Sequence, residues 1–154
     1  MSDKISVTRH VEFEAAHLLT GYDGPCQNLH GHSYKLEVTI SCPEYDRKNN
    51  PFNFVIDFSK VNKLLKDYVP DHAFVVNTLT CDCAEAEIYK VLQKYNLRIF
   101  EMDKSPSAEN MVNVFAKDIQ QILEKQFPDI ECTVDRLYLW ETRDSYATWT
   151  RGVE

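Results

Sequence analysis

The first forty residues contain two long stretches in which apolar and polar side chains alternate. Between residues 5 and 17 the odd positions are mostly apolar, and between residues 30 and 42 the even positions form one face. This two-residue period is typical of half-buried β-strands. A segment rich in turn-forming residues, 20–25, separates the two runs. We therefore predict a long pair of strands, antiparallel across that turn.

Helical spacing of apolar residues appears in the middle of the chain. It predicts a helix that begins at an N-cap, either Asp57 or Ser59, and ends at Pro70. A second helix is predicted over 84–95, where charged residues occupy the face opposite the apolar positions.

A third helix is predicted to start at Ser105 as N-cap, with Pro106 in the first helical position, and to continue to about residue 127. Four shorter segments have strand-like patterns: 52–58, 97–102, 132–142 and 145–152. The predicted order is therefore β-β, α, an α/β insertion, α and β-β.

Composition limits the class of protein. The chain has 154 residues, 44% of them hydrophobic, and we find no internal repeat, so one globular domain is expected. The net charge is −7 and no basic cluster occurs, which argues against a nucleic-acid partner. No apolar run is long enough for a membrane span and the first residues lack signal-peptide order, so we expect a cytoplasmic protein. Its five cysteines should then be mostly free thiols.

Three of the five histidines lie where a metal site could form. His30 and His32 share one face of the second strand, and His17 ends the apolar face of the first strand. Three imidazoles leave a fourth position open, which is the catalytic type of zinc site. The alternative is that each buried histidine only makes a hydrogen bond. His10 falls on the polar face and is expected at the surface.

Several other residues are candidates for chemistry. Cys26 precedes His30 closely, and a thiol beside a metal or a cation can act as a base or nucleophile, although a buried structural cysteine is the commoner case. Cys81 and Cys83 form a weak possible metal pair. Asp71 and His72 form a possible acid/base unit if they lie in a turn.

Two glutamates have different sequence contexts. Glu109 falls in the first turn of the third helix, where a carboxylate also favours the helix dipole. Glu141 lies in a mostly apolar strand, where a carboxylate is costly unless it is paired or bound to a ligand. Such a carboxylate could hold the amide-like edge of a pterin or guanine ring by two parallel hydrogen bonds.

Taken together, these residues resemble the 6-pyruvoyl-tetrahydropterin synthase / 6-carboxy-tetrahydropterin synthase family. The matching motifs occur in family order over about residues 5 to 152, which is nearly the whole chain. They are Phe13-Glu14-Ala15-Ala16-His17, Cys26-Gln27-Asn28-Leu29-His30-Gly31-His32-Ser33-Tyr34, Val55-Ile56-Asp57-Phe58, Asp71-His72, Ser105-Pro106-Ser107-Ala108-Glu109-Asn110 and Trp140-Glu141-Thr142.

The resemblance implies an α+β architecture called the tunnelling fold. It consists of a four-stranded antiparallel sheet with two main helices on one side, and the sheets of several subunits join into an oligomeric barrel, a trimer or a hexamer. Residues 1–154 would form one such domain, with an α/β insertion near 80–104. Exposed sheet edges would be paired by oligomerisation.

The resemblance also implies roles for individual residues. His17, His30 and His32 match the zinc (Zn2+) ligands, and Cys26 matches the catalytic thiol. Asp71 and His72 match an acid/base pair that is expected to come from a neighbouring subunit. Glu141 matches the carboxylate that anchors the pterin ring and is linked to catalysis, and Glu109 matches a second pterin-side carboxylate.

Members of the family act differently on 7,8-dihydroneopterin triphosphate. Three residues separate Cys26 from His30, which resembles the queuosine-pathway branch that forms 6-carboxy-tetrahydropterin, acetaldehyde and triphosphate. The alternative is triphosphate elimination to 6-pyruvoyl-tetrahydropterin in the tetrahydrobiopterin pathway, a branch with five intervening residues. Lys35, Arg143 and Arg151 are candidate cations for the triphosphate by position alone.

Two readings from other classes stay open. A metal-free hydrolase could use Cys26, His72 and Asp71, but it would leave the three clustered histidines unexplained. A non-catalytic, zinc-stabilised subunit of a larger assembly would bind metal without turnover.

Overall fold

The computed structural model describes residues 4–44 and 50–152. The strands are β1 (Ser6–His17), β2 (His30–Ser41), β3 (Ala73–Asn77), β4 (Ile99–Met102), β5 (Thr133–Thr142) and β6 (Ser145–Thr150). The helices are α1 (Phe58–Tyr68), α2 (Ala84–Lys94) and α3 (Ala108–Gln126), and a short 3-10 turn covers Pro25–Gln27.

The six strands form one mixed sheet in the order β4-β3-β1-β2-β5-β6. The predicted antiparallel pair is confirmed, because β1 pairs with β2 along its whole length, from Ser6 opposite Ser41 to His17 opposite His30. Strands β2, β5 and β6 continue the antiparallel arrangement. The sheet therefore contains the four antiparallel strands of the tunnelling fold, β1, β2, β5 and β6, and two further strands.

The main core lies between one face of this sheet and helices α1 and α3. Alternate residues of the central strands, such as Phe13, Leu36 and Leu139, point into it. The apolar stripes of both helices supply the other half, with Leu65 and Phe115 almost fully buried. The period-two and helical patterns of the sequence thus meet in one core, as predicted.

The expectation of four strands was incomplete, because a β–α–β unit extends the sheet beside β1. Strand β3 runs parallel to both β1 and β4, and α2 connects β3 to β4. Helix α2 packs on the face opposite to α1 and α3, where Phe74 and Val76 contact Ile88 and Leu92. Val75 points instead into the main core. Since β3 is buried on both faces, it lacks the alternation by which the other strands were predicted.

Two local predictions were wrong. Residues 52–58 form no strand, because the neighbours Val55 and Ile56 are both buried while Phe52 and Phe54 stay exposed and stack on each other. The N-cap of α3 is Ser107 rather than Ser105, since the Ser107 hydroxyl accepts the Asn110 amide.

Other helix boundaries agree with prediction. The carboxylate of Asp57 accepts the Ser59 amide and caps α1, so Asp57 is the correct one of the two candidates. Cys26, Cys81 and Cys83 are free thiols, in agreement with the expectation of mostly free thiols. None of the helices in the described parts of the chain combines the length and apolar composition needed to cross a membrane.

Candidate active site

Three imidazoles converge at one end of the sheet, on the face that carries the main core. His17 ends β1, while His30 and His32 begin β2, and the antiparallel register places His17 opposite His30. One nitrogen from each ring lies within 4.8 Å of the corresponding nitrogens of the other two. His17 is buried and the other two are half-buried, so the predicted cluster forms within a single chain.

Backbone carbonyls orient two of these rings. Nδ1 of His17 donates to the Pro106 carbonyl at 2.6 Å, and Nδ1 of His30 donates to the Asn28 carbonyl at 2.7 Å. A carbonyl oxygen can only accept, so each Nδ1 carries a proton. In a neutral ring the lone pair then lies on Nε2, the nitrogen that faces the centre of the cluster. Histidine ligands of metals are commonly held in this way.

The spacing of the inner nitrogens fits a shared metal ion. Nε2 of His17 and Nε2 of His30 are 3.1 Å apart. Tetrahedral zinc with Zn–N bonds of about 2.0–2.1 Å needs ligand nitrogens roughly 3.3 Å apart. Nε2 of His32 is buried and has no hydrogen-bond partner among the described residues. A buried nitrogen without a hydrogen-bond partner therefore faces two lone pairs at the centre of the cluster. A metal ion bound there would satisfy all three nitrogens.

Burial favours the neutral form of His17 and His32 by lowering the pKa of each. Loss of solvent is the largest effect on His17 and lowers its pKa, and the neighbouring His30 acts in the same direction. Loss of solvent likewise lowers the pKa of His32, although the negative charge of Glu141 opposes it. A neutral imidazole is the form that binds metal, so the environment favours ligation at neutral pH.

A pocket of about 180 Å³ opens beside the cluster and collects the other predicted groups. Its lining includes His17, Cys26, Glu109 and Glu141. Cys26 reaches it from the loop between β1 and β2, Glu109 from the first turn of α3, and Glu141 from β5. The structure therefore brings His17 and Glu141 into one pocket, although they are 124 positions apart in the sequence.

Glu141 lies on the core-facing side of β5, next to the imidazoles. Its Oε1 is 3.7 Å from Nε2 of His32, and its side chain is about a quarter exposed. A half-buried carboxylate in this position can accept hydrogen bonds from a ligand while it interacts with the imidazole cluster. The placement agrees with the expected anchoring role, which stays a prediction.

The sequence analysis assigned no role to three contributors to the cluster. Tyr34 continues the face of His30 and His32, as alternation along β2 predicts, and its hydroxyl lies 3.4 Å from Nε2 of His17. The alternation places the side chain on this face but does not indicate the contact with His17. Burial raises the pKa of Tyr34, so its hydroxyl keeps its proton. The carbonyls of Asn28 and Pro106 carry no sequence signal, because any residue type supplies a carbonyl.

Asp71 and His72 form a pair, and His72 lines a pocket other than that of Cys26. The two side chains are 3.0 Å apart, in the turn that precedes β3. His72 has a positive φ of 56°. The two residues lie in a turn and not in a strand, which is the condition that the sequence analysis set for an interaction between their side chains. The Glu14 backbone amide donates to the Asp71 carboxylate and lowers its pKa. The pocket that His72 lines also includes Ser33, and none of its lining residues lines the pocket of Cys26.

The structure brings two of the three candidate cations together. Lys35 and Arg143 line a third pocket, which Trp140 and Glu141 also line. Arg151 donates to the Val134 carbonyl and to Gln120, at the other end of β5. Cys81 and Cys83 belong to no comparable group of three potential ligands within the described residues.

Comparison with known proteins identifies the class to which this fold and site belong. The family model of 6-pyruvoyl tetrahydropterin synthase matches residues 6–152. The chain belongs to this family and has its tunnelling fold.

Its relatives by sequence include 6-carboxy-5,6,7,8-tetrahydropterin synthases. The protein of that name from Haemophilus influenzae is 32% identical over 146 residues, which cover 93% of this chain and 96% of the relative. The Aquifex aeolicus protein of the same name is 33% identical over 127 residues, which cover 80% of this chain and 75% of the relative.

Solved structures support the fold at lower sequence identity. The 6-pyruvoyl tetrahydropterin synthase of Caenorhabditis elegans matches with a TM-score of 0.63 and 19% identity, covering 97% of each chain. An uncharacterized protein of Wolinella succinogenes matches with a TM-score of 0.72 and 17% identity, covering 98% of this chain and 100% of that one.

Proposed function

We propose that this protein is a 6-carboxy-5,6,7,8-tetrahydropterin synthase. It would convert 7,8-dihydroneopterin triphosphate and one water to 6-carboxy-tetrahydropterin, acetaldehyde and triphosphate, in queuosine (7-deazaguanine) biosynthesis. The observation that carries the proposal is the pocket in which Cys26, Glu109 and Glu141 adjoin the three-imidazole cluster. The three-residue spacing between Cys26 and His30 and the names of the relatives by sequence support this branch of the family.

The imidazole cluster would hold zinc. His17, His30 and His32 are the proposed ligands, and their orientation by backbone carbonyls supports this choice over a purely structural cluster. When bound, zinc supplies Lewis acidity, which makes hydroxyl groups of the substrate side chain more acidic.

The chain's own residues would bind the substrate and move its protons. Glu141 would accept two hydrogen bonds from the edge of the pterin ring, with Glu109 as a second carboxylate across the pocket. This orientation would direct the substrate side chain toward Cys26, whose thiolate would remove a proton. His72 of a neighbouring subunit, oriented by Asp71 of that subunit, would transfer the second proton.

The proposal includes an assembly. A homo-oligomer, trimer or hexamer, would place Asp71 and His72 of one subunit near Cys26 of the next. Separate pockets for the two groups within one chain are consistent with this arrangement. We further propose one domain over 1–154 with an α/β insertion near 80–104, a cytoplasmic location, and no nucleic-acid or membrane partner.

A second product is the alternative for the same site. The matching family model and the Caenorhabditis elegans structure carry the name 6-pyruvoyl tetrahydropterin synthase, an activity that eliminates triphosphate without releasing acetaldehyde. The substrate and the ligand set would be unchanged. Only the fate of the side-chain carbons differs, so the products distinguish the two activities.

Product analysis tests the proposal directly. The zinc-loaded protein is incubated with 7,8-dihydroneopterin triphosphate, and the products are identified by mass spectrometry. We expect acetaldehyde and 6-carboxy-tetrahydropterin in equal amounts. Formation of 6-pyruvoyl-tetrahydropterin would replace the proposed activity by the alternative, and no conversion by a fully zinc-loaded sample would contradict both.

A further inference from the structure

A buried carboxylate that the proposed chemistry does not use lies at the start of α2. Glu85 is only 1% exposed. One of its oxygens accepts the Asn77 backbone amide at 2.8 Å, and the other accepts the Thr20 hydroxyl at 2.6 Å. Both oxygens thus bind groups outside the helix that carries the residue. A glutamate that only favoured the helix dipole could remain exposed to solvent.

The Thr20 hydroxyl connects this carboxylate to the loop that carries Cys26. The amide of Leu19, the residue next to Thr20, donates to the Cys26 carbonyl at 2.9 Å. This bond joins the two ends of the loop. A continuous path therefore runs from Glu85 through Thr20 and Leu19 to Cys26, with two hydrogen bonds and one peptide link.

Packing supports the same connection. Leu18 is buried in the apolar cluster on the α2 side of the sheet, together with Phe74 and Val76. Leu19 lines the pocket that contains His17 and Cys26. The segment that leaves β1 is therefore held by α2 on one side, and it forms part of the catalytic pocket on the other.

We propose that Glu85 is a positioning residue that holds the Cys26 loop in place through the Thr20 hydroxyl. The inference rests on the proposed role of Cys26 and gives the β3–α2–β4 unit a part in catalysis. A buried carboxylate is costly unless it is hydrogen-bonded, so loss of the Thr20 donor would favour movement of the loop. A displacement of about 1 Å in a catalytic group can lower the rate by up to roughly a hundredfold.

The test compares three threonine variants of the full-length, zinc-loaded protein. Thr20→Val removes the donor while it preserves shape, and Thr20→Ser restores the donor. Thr78→Val is the matched control, because the Thr78 hydroxyl donates to the Met102 carbonyl in the same unit and makes no hydrogen bond to the Cys26 loop among the described residues. The measurements are kcat, KM, zinc content and the rate of Cys26 alkylation by iodoacetamide, determined by peptide mass spectrometry relative to exposed Cys81.

We expect Thr20→Val to lower kcat about tenfold while KM stays within about twofold, since substrate binding groups are unmoved. The relative alkylation rate of Cys26 should change at least about threefold, because reactivity depends on the surroundings of the thiol. Thr20→Ser and Thr78→Val should resemble the wild type. If Thr20→Val does not fold, Glu85→Gln is used instead, with a lowered kcat and a change of at least about threefold in the relative alkylation rate of Cys26 expected.

Three outcomes would overturn the inference: wild-type kcat and alkylation in Thr20→Val, equal losses in Thr20→Val and Thr78→Val, or a loss of kcat that merely follows loss of zinc. Failure of the proposed function is separate. In that case the wild-type protein would not convert the pterin substrate at all, while the alkylation ratio would still report whether Thr20 and Glu85 position Cys26.

Discussion

At the scale of single residues, the candidate site depends on how protons are distributed. Carbonyl acceptors at Nδ1 of His17 and His30 leave the inner nitrogens free, while the inner nitrogen of His32 is buried without a partner among the described residues. Cys26 lines the adjoining pocket but is not part of this cluster. Metal binding and proton transfer should therefore be separable by substitution.

Cys26→Ala should abolish turnover and leave the zinc content unchanged, because it removes the proposed base and keeps all three imidazoles. His30→Ala is the contrasting variant and should lose both zinc and turnover. Elemental analysis and product formation measure the two properties. Wild-type turnover in Cys26→Ala, or a full zinc complement in His30→Ala, would contradict the assignment.

Asp71 allows a prediction on pH. The Glu14 amide lowers the pKa of this carboxyl below its ordinary 3.8, so its charge stabilises the folded state above that pH. This contribution is lost as the pH falls through the lowered pKa. Asp71→Asn keeps an oxygen that can accept the amide but removes the charge. The difference in free energy of unfolding between wild type and Asp71→Asn, from urea titrations, should be larger at pH 7 than below pH 3.8. A difference independent of pH would show that the charge contributes nothing.

At the scale of secondary-structure elements, the start of α3 joins folding to the site. The Pro106 carbonyl orients His17, and the next residue, Ser107, caps the helix. Glu109 in the first turn then lines the pocket that adjoins the imidazoles. The helix is therefore positioned by local capping at the same place where it contributes to the site.

Ser107→Ala should lower the free energy of unfolding by about 1 kcal/mol, since it removes the acceptor for the Asn110 amide. Ser107→Asn supplies another good N-cap and serves as the control, with a loss of at most a few tenths of a kcal/mol expected. Chemical denaturation of the zinc-loaded proteins measures both. Equal stability of wild type and Ser107→Ala would show that the cap does not stabilise α3.

At the scale of the whole molecule, the proposed function requires the Asp71–His72 pair of one subunit to lie near the thiol of a neighbouring subunit. One chain places Cys26 and His72 in different pockets on its sheet. Strand β6 lies at one edge of that sheet, and β3 pairs with β1 only at Ala15 and Ala16, which leaves most of that side of β1 without a described partner strand. Unpaired edges of this kind can join subunits into a continuous sheet.

Complementation between inactive variants tests the subunit boundary. Cys26→Ala and His72→Ala are each expected to be inactive. When the two are co-expressed in equal amounts, the total protein should regain about a quarter of the wild-type activity, because random assembly combines an intact Cys26 with an intact His72 of the neighbour at one site in four. Mixed oligomers without activity would contradict sites shared between subunits.

Several features could be predicted from the sequence because they depend on local periodicity or on residue type. Alternation predicted β1 and β2, and their antiparallel register brought His17 next to His30. Strand β3 could not be predicted in this way, because burial on both faces removes the alternation. The prediction of Ser105 as the N-cap of α3 was wrong because two serines precede this helix, and only the hydrogen bond from the Asn110 amide identifies Ser107 as the cap.

The sequence by itself determined the long strands, the main helices, the histidine triad as a metal candidate and the family resemblance, since each is encoded in residue type and spacing. The tertiary structure alone decided which carbonyls orient the imidazoles, that Cys26 and Glu141 share a pocket, and that Glu85 holds Thr20 from the opposite side of the sheet. The physical reason is that these contacts join segments far apart in the chain. Their geometry depends on how the sheet and helices pack and leaves no periodic pattern in the residues themselves.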